Sequence, residues 1–225
     1  MAKLLTKAIA GFVFLMLVQA LALFLPAGSV HFWQAWVYLA VSAACTILIT
    51  AYLAKYDPKL LASRVKGGPT AERQRSQQII QGLAGIFYFG LFVVSGLDFR
   101  FHWSAVSPLL SGIADGFVVV GNFIIYRVFK ENSYTSATIE VGEGQTVITS
   151  GPYGVVRHPM YAGAILMLLV TPPALGSWVG LVCLAPLILA IIVRLLEEER
   201  FLRANLDGYA VYCRQVRYRL VPGIW

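Results

Sequence analysis

Charge is what this sequence has least of. Only 13% of its 225 residues are Asp, Glu, Lys or Arg, and 58% are hydrophobic; a soluble domain carries about 25% charged residues. A chain this poor in charge has too little polar surface to cover a core in water, so the bilayer is its natural solvent. Cysteine is scarce too. Cys45, Cys183 and Cys213 have neither metal nor redox spacing, which excludes a disulfide framework and leaves buried or interfacial thiols. No glycine-rich loop sits on a strand–turn–helix unit; Gly142-Glu143-Gly144 lacks that context and reads as a turn. Internal repeats and low-complexity tracts are absent. The net charge of +7 does not indicate nucleic acid, because no long soluble basic surface exists to present it.

Long apolar runs are what is present. About 20 apolar residues cross the roughly 30 Å hydrocarbon core as a helix. Four runs qualify: Leu4–Leu25, Trp33–Ala54, Ile79–Leu97 and Val106–Phe129. The first exceeds a usual signal core and lacks a clear small-residue cleavage site, so it is expected to be a retained span. A further region, Met160–Leu196, is interrupted by Thr171-Pro172-Pro173. Proline lacks a backbone donor and disfavours helix at the residue before it, which predicts a helical hairpin with a short first arm of about 13 residues, ~20 Å. The expected fold class is an all-α polytopic membrane helix bundle, with about five full spans plus the short hairpin arm.

Orientation follows from Lys and Arg in the short loops. Lys3 and Lys7 precede the first span. Lys55, Lys59, Arg64, Lys66, Arg73 and Arg75 lie between the second and third. Arg127, Lys130 and Arg157 precede the hairpin, and Arg194, Arg200, Arg203, Arg214, Arg217 and Arg219 follow it. An even number of crossings separates these groups, so of 18 basic residues only Arg100 falls on the opposite side. Both termini are expected to be cytoplasmic. Three polar stretches share that side: a basic interfacial loop at Lys55–Gln78, a Gly-, Ser- and Thr-rich link at Lys130–Arg157, and a charged tail at Glu197–Trp225.

Two clusters carry candidate chemistry. Pro159 suits the first turn of a helix, which sets His158 at a helix N-terminus, a natural place for anions. Tyr161 projects from nearly the same face. The second cluster is Arg194 with Glu198, four residues on and on one helix face, within Glu197-Glu198-Glu199. Alone, the first reads as an interfacial anchor and the second as a helix emerging into water. The hairpin changes this. It leaves the cytoplasmic side at Pro159 and returns near Leu196, so His158, Tyr161, Arg194 and Glu198 can line one pocket. Ionisable groups at membrane depth are costly and usually functional. Cationic, acidic and aromatic walls suit a zwitterionic, adenine-bearing cofactor. Asp115, inside the fourth run, is expected to bond to a neighbouring Ser or to backbone.

From about Asn132 to Pro222 the chain resembles the isoprenylcysteine carboxyl methyltransferases and related membrane phospholipid methyltransferases. The resemblance rests on Gln145 to Tyr153 (QTVITSGPY), Arg157 to Gly163 (RHPMYAG), Arg194 followed by Glu198 in an EExxL stretch ending at Leu202, and Tyr209, Tyr212 and the RxVP-like end at Arg219–Pro222. It implies an S-adenosyl-L-methionine-dependent membrane methyltransferase whose amphiphilic or prenylated substrate enters from the bilayer among membrane lipids. It implies cofactor contacts from Thr138, Gln145, Thr146, Val147, Ile148, Tyr153, His158, Pro159, Met160, Tyr161 and Glu198. Arg194 is implied to bind the substrate, and Arg194 and Glu198 to be catalytic. Thr138 stands where the best-known members have Gln, and Gln145 where His is usual. The organisation this suggests is N-terminal transmembrane helices over 1–129 and a methyltransferase region over 130–225, with the hairpin at 159–196.

Methyl transfer from a sulfonium is an in-line displacement that needs alignment more than a strong acid or base. A carboxylate acceptor is already ionised, and Arg194 could orient it; an amine, as in phospholipid N-methylation, needs Glu198 or His158 as a base. An NADPH-dependent membrane reductase is the main alternative, since sterol reductases share the RHP-type helix start and a tail like Tyr209–Pro222. They have an Arg-Asp-rich pattern where this chain has Glu197–Glu199. A transporter fits least, because the spans hold few polar residues for an aqueous path.

Overall fold

The computed structural model describes residues 1–68, 72, 74–142 and 144–225; Arg73 of the basic loop and Glu143 of the expected turn lie outside them. Among the described residues eight α-helices follow one another: α1 (Ala2–Ala27), α2 (Trp33–Tyr56), α3 (Pro58–Val65), α4 (Arg75–Phe101), α5 (Pro108–Glu131), α6 (Pro159–Ala174), α7 (Leu184–Asn205) and α8 (Tyr209–Gln215). Five segments are long and apolar enough to cross a membrane: α1, α2, α4, α5, and α7 with the 3-10 turn Val179–Cys183 before it. The all-α bundle of five spans and a short sixth arm is therefore what the apolar runs predict. Exposed Ile, Leu, Val and Phe side chains cover the outside of the spans, as a lipid-facing surface requires.

The helices pack closely where side chains are smallest. α5 lies along α6, and α1 along α4. A Cβ on Gly121 of α5 would meet the Gly163 carbonyl oxygen at 2.9 Å, and one on Gly163 would meet that of Gly121 at 3.0 Å. Without a hydrophobic force between helices in lipid, such backbone approach is how spans gain packing.

The hairpin departs from expectation in its turn. α6 does not stop before the prolines; it carries Thr171, Pro172 and Pro173 in its last turn and spans 16 residues. Only the donors to two carbonyls are lost there, and the end is closed by other bonds. Leu175 N–H donates to Thr171 O at 3.0 Å and Ser177 N–H to Pro172 O at 2.9 Å. The chain reverses at Gly176, whose φ of 75° favours glycine. Asp98, at the end of α4, then fixes the turn. Its carboxylate accepts from Ser104 N–H at 2.7 Å and from the Ser104 and Ser177 hydroxyls. Asp98 is buried, and these bonds pin the α6–α7 turn to the α4–α5 loop.

Three further expectations change. Lys55–Gln78 is not a plain interfacial loop. Asp57 caps α3 by accepting from Leu60 N–H at 2.9 Å, Pro58 fills its first position, and buried Leu60 and Leu61 pack against Leu53, Val128 and Phe129. The acidic triplet does not begin a solvated tail, because α7 continues through it to Asn205. The remaining tail turns back: Arg157 N–H donates to Tyr218 O and His158 N–H to Arg219 O, both at 2.9 Å. Asp115 finds no local bond. Its carboxyl is buried, and neither oxygen has a hydrogen-bond partner among the described residues.

Candidate functional site

The basic end of the bundle encloses a cavity of about 540 Å³, within the range that holds a drug-sized ligand. Pro159 starts α6 and sets His158 as its N-terminal flanking residue. α7 returns alongside, carrying Arg194 and Glu198. The link 132–148 closes the side. All twelve residues singled out in the sequence line this one cavity: Thr138, Gln145, Thr146, Val147, Ile148, Tyr153, His158, Pro159, Met160, Tyr161, Arg194 and Glu198.

Tyr161 joins the two clusters. Its hydroxyl donates to Glu198 Oε2 at 2.6 Å and accepts from Arg194 Nε at 3.1 Å. Arg194 and Glu198 thus communicate through the phenol; no ion pair links them directly. Arg194 reaches three more partners: Glu72 at 2.8 Å, Gln77 Oε1 at 2.7 Å and the Ala137 carbonyl at 3.1 Å. Glu72 also accepts from Gln81 at 2.6 Å and Gln77 donates to Glu197. One chain of charge-assisted bonds therefore runs from α7 through α6 to the start of α4.

Beneath the cavity lies a second network that the sequence reading missed. Glu199 is 3% exposed. It accepts from Arg157 Nε at 2.7 Å and Arg219 Nε at 3.1 Å, and it lies 3.3 Å from His158 Nε2 and 3.5 Å from Arg203. Arg157, read as an orientation charge, is buried and also donates to the Val216 and Arg217 carbonyls, each at 2.9 Å. A carboxylate so surrounded holds the start of α6, the body of α7 and the tail together. Its signal in the sequence is slight, since Glu197, Glu198 and Glu199 look alike.

The aromatic wall is fixed by backbone. The Tyr212 hydroxyl donates to Tyr153 O at 2.8 Å, and the Tyr153 hydroxyl accepts from Asn132 at 3.1 Å. Burial raises the pKa of Tyr153, Tyr209 and Tyr212, so all three are neutral phenols at cellular pH. The buried Tyr209 hydroxyl has no partner among the described residues and lines the cavity, which leaves a donor and acceptor for a bound molecule. At Gly142 and Gly144 the chain does turn: Gln145 N–H donates to Gly142 O at 3.1 Å, and Gly144 has a φ of 70°.

Residues 110–207 match the family model described as phospholipid methyltransferase. The matched stretch runs from the first turn of α5 to just past α7 and holds all twelve cavity residues named above. It supports a membrane methyltransferase acting on lipid-like substrates. With the five apolar helices, it supports an integral multi-pass membrane protein. No curated protein and no solved structure matches the chain. Arg64, Glu72 and Gln77 of the cavity wall and its supports, and Tyr209 and Tyr212, fall outside the matched stretch.

Proposed function

We propose that the chain is an S-adenosylmethionine-dependent membrane methyltransferase of the isoprenylcysteine carboxyl methyltransferase type, acting at the cytoplasmic surface on an amphiphile that arrives from the bilayer. The observation that carries this reading is Glu198. One of its oxygens is held by Tyr161, while the other, Oε1, has no hydrogen-bond partner among the described residues; it lines a cavity with an unpartnered phenol at Tyr209. A free carboxylate and aromatic faces are what a sulfonium and an ammonium require.

The residues fit the cofactor. Glu198 would hold its cationic end, and Tyr153, Tyr209 and Tyr212 would pack against it. The link from Gln145 to Ile148, with Thr138, would close over it. The free backbone N–H groups of Met160 and Tyr161, in the first turn of α6 behind His158 and Pro159, suit its carboxylate. When bound, the cofactor supplies an electrophilic methyl group. The protein's task is then alignment and exclusion of water. Arg194 steadies the Tyr161 hydroxyl and so sets the angle of Glu198. With four partners within 3.1 Å, it keeps one of its five N–H groups for the acceptor. Both termini lie in the cytoplasm, because the cavity shares its end of the bundle with nearly all the basic residues.

The test is transfer of a labelled methyl group by purified protein to lipid extracts and to a prenylcysteine analogue, with the product identified by mass spectrometry. A methylated carboxyl supports the proposed type. A methylated amine in its place reassigns the chain to phospholipid N-methylation, with the free oxygen of Glu198 as the nearest base. NADPH binding without S-adenosylmethionine binding overturns the reading altogether.

A further inference from the structure

The other basic side chains lining the cavity have carboxylate partners. Arg157 and His158 meet Glu199, and Arg194 meets Glu72. Arg64 is different. Its guanidinium donates to the Ser136 carbonyl at 3.1 Å, touches Met160 Sδ at 3.9 Å and lies 5.1 Å from the centre of the Phe129 ring. Among the described residues no carboxylate comes within 4.0 Å of it. Burial lowers its pKa, and the neighbouring Arg194 charge pushes the same way. An arginine stays protonated even so, so the cavity wall holds a positive charge with no counterion among the described residues.

That charge is not on a loose side chain reaching for the membrane surface. It sits in the last turn of α3, which is anchored by Asp57, Leu60 and Leu61. The chain beyond is pressed against the link, where a Cβ on Gly67 would meet that of Ala137 at 2.6 Å. Ile125, Met160 and Ala164 line the same cavity and belong to the membrane helices α5 and α6. A fixed cation beside an apolar wall continuous with two spans is complementary to an acidic headgroup on a hydrocarbon chain.

We propose that Arg64 is the cavity's receptor for an anionic group, carboxylate or phosphate, on the amphiphilic methyl acceptor. The proposal rests on reading the cavity as a methyltransferase site, and it gives that site a selectivity: acidic amphiphiles over neutral ones. The other anion the cavity would receive is the cofactor's own carboxylate, which the start of α6 can take.

The experiment measures equilibrium binding to the full-length protein in neutral detergent. The probes are N-acetyl-S-farnesylcysteine, its carboxamide, and S-adenosylhomocysteine. The wild-type protein is expected to prefer the carboxylate to the carboxamide by about tenfold or more, as a charge-assisted contact implies. Arg64→Gln is expected to cut that preference severalfold, leaving what the Arg194 contact supplies, and to leave S-adenosylhomocysteine affinity intact. Arg64→Lys, which keeps the charge without the fork, is expected to retain part of the preference; it carries the test if Arg64→Gln does not fold. No preference in the wild-type protein overturns the proposal, as does a preference undiminished in Arg64→Gln. Loss of S-adenosylhomocysteine affinity with the preference intact assigns Arg64 to the cofactor and overturns it equally. Failure of S-adenosylhomocysteine to bind wild type refutes the methyltransferase reading, while the carboxylate preference is still read independently.

Discussion

Replacing Glu199 by Gln tests whether one buried carboxylate holds the cavity floor. The change keeps shape and volume but removes the charge. Arg157 is 6% exposed and would keep its two 2.9 Å backbone carbonyls without a counterion. His158 and Arg219 would face an amide in place of an anion. Removing one partner of a buried ion pair costs about 3–5 kcal/mol, because the other charge is left uncompensated. At about 2–4 °C per kcal/mol for a chain of this size, the unfolding temperature falls by roughly 6–20 °C. The assay is thermal unfolding in detergent for wild type, Glu199→Gln, Arg157→Gln and the double variant. Arg157→Gln is expected to be milder, because Glu199 keeps Arg219, Arg203 and His158. The double variant is expected to unfold near Arg157→Gln and above Glu199→Gln, since the second change removes the stranded charge. A Glu199→Gln protein as stable as wild type, or a double variant less stable than either single, refutes the reasoning.

Glu198→Ala should abolish S-adenosylmethionine binding in isothermal titration, and unchanged affinity would remove the carboxylate from the site. Tyr161→Phe deletes a hydroxyl bonded to two charged groups, each such bond contributing about 1.5–3 kcal/mol; cofactor affinity should fall at least about tenfold with the spans intact by circular dichroism. Gly121→Leu should drive a side chain into the Gly163 backbone and lower the unfolding temperature, an overpacking penalty of about 1–3 kcal/mol; an unchanged value would deny the close α5–α6 contact. Asp98→Ala should loosen the far turn by roughly 1–3 kcal/mol, with Asp98→Asn closer to wild type; wild-type stability in Asp98→Ala would show that the carboxylate does not hold that turn.

How far the sequence could be read depended on the range of the interactions. The spans were legible because hydropathy is a local property, and the hairpin because two prolines interrupt one apolar run. Returning that run to its starting side was enough to bring His158 and Tyr161 to Arg194 and Glu198. The turn was misplaced by a few residues, since prolines in a final helical turn forfeit little when Thr171, Ser177 and Gly176 close the end. Glu199 was illegible for a geometric reason. Adjacent helical residues differ by about 100° in direction, and nothing local says which of three consecutive glutamates faces inward. Arg64, Glu72 and Gln77 were lost in a polar stretch without periodicity. Their meaning comes from partners about 70 to 120 positions away in the chain, a separation no short motif records.

The Glu72–Arg194 pair ties a residue before α4 to the core of the matched stretch. Its consequence concerns divergence. Apart from Tyr209 and Tyr212, the residues proposed to hold the methyl donor lie within 110–207, whereas Arg64 and Glu72 come from a segment before it. Exchanging the α2–α4 connection between proteins of this architecture would therefore be a route to retuning which acceptor is taken, with the transfer chemistry inherited unchanged. The graft would have to bring its own carboxylate for Arg194.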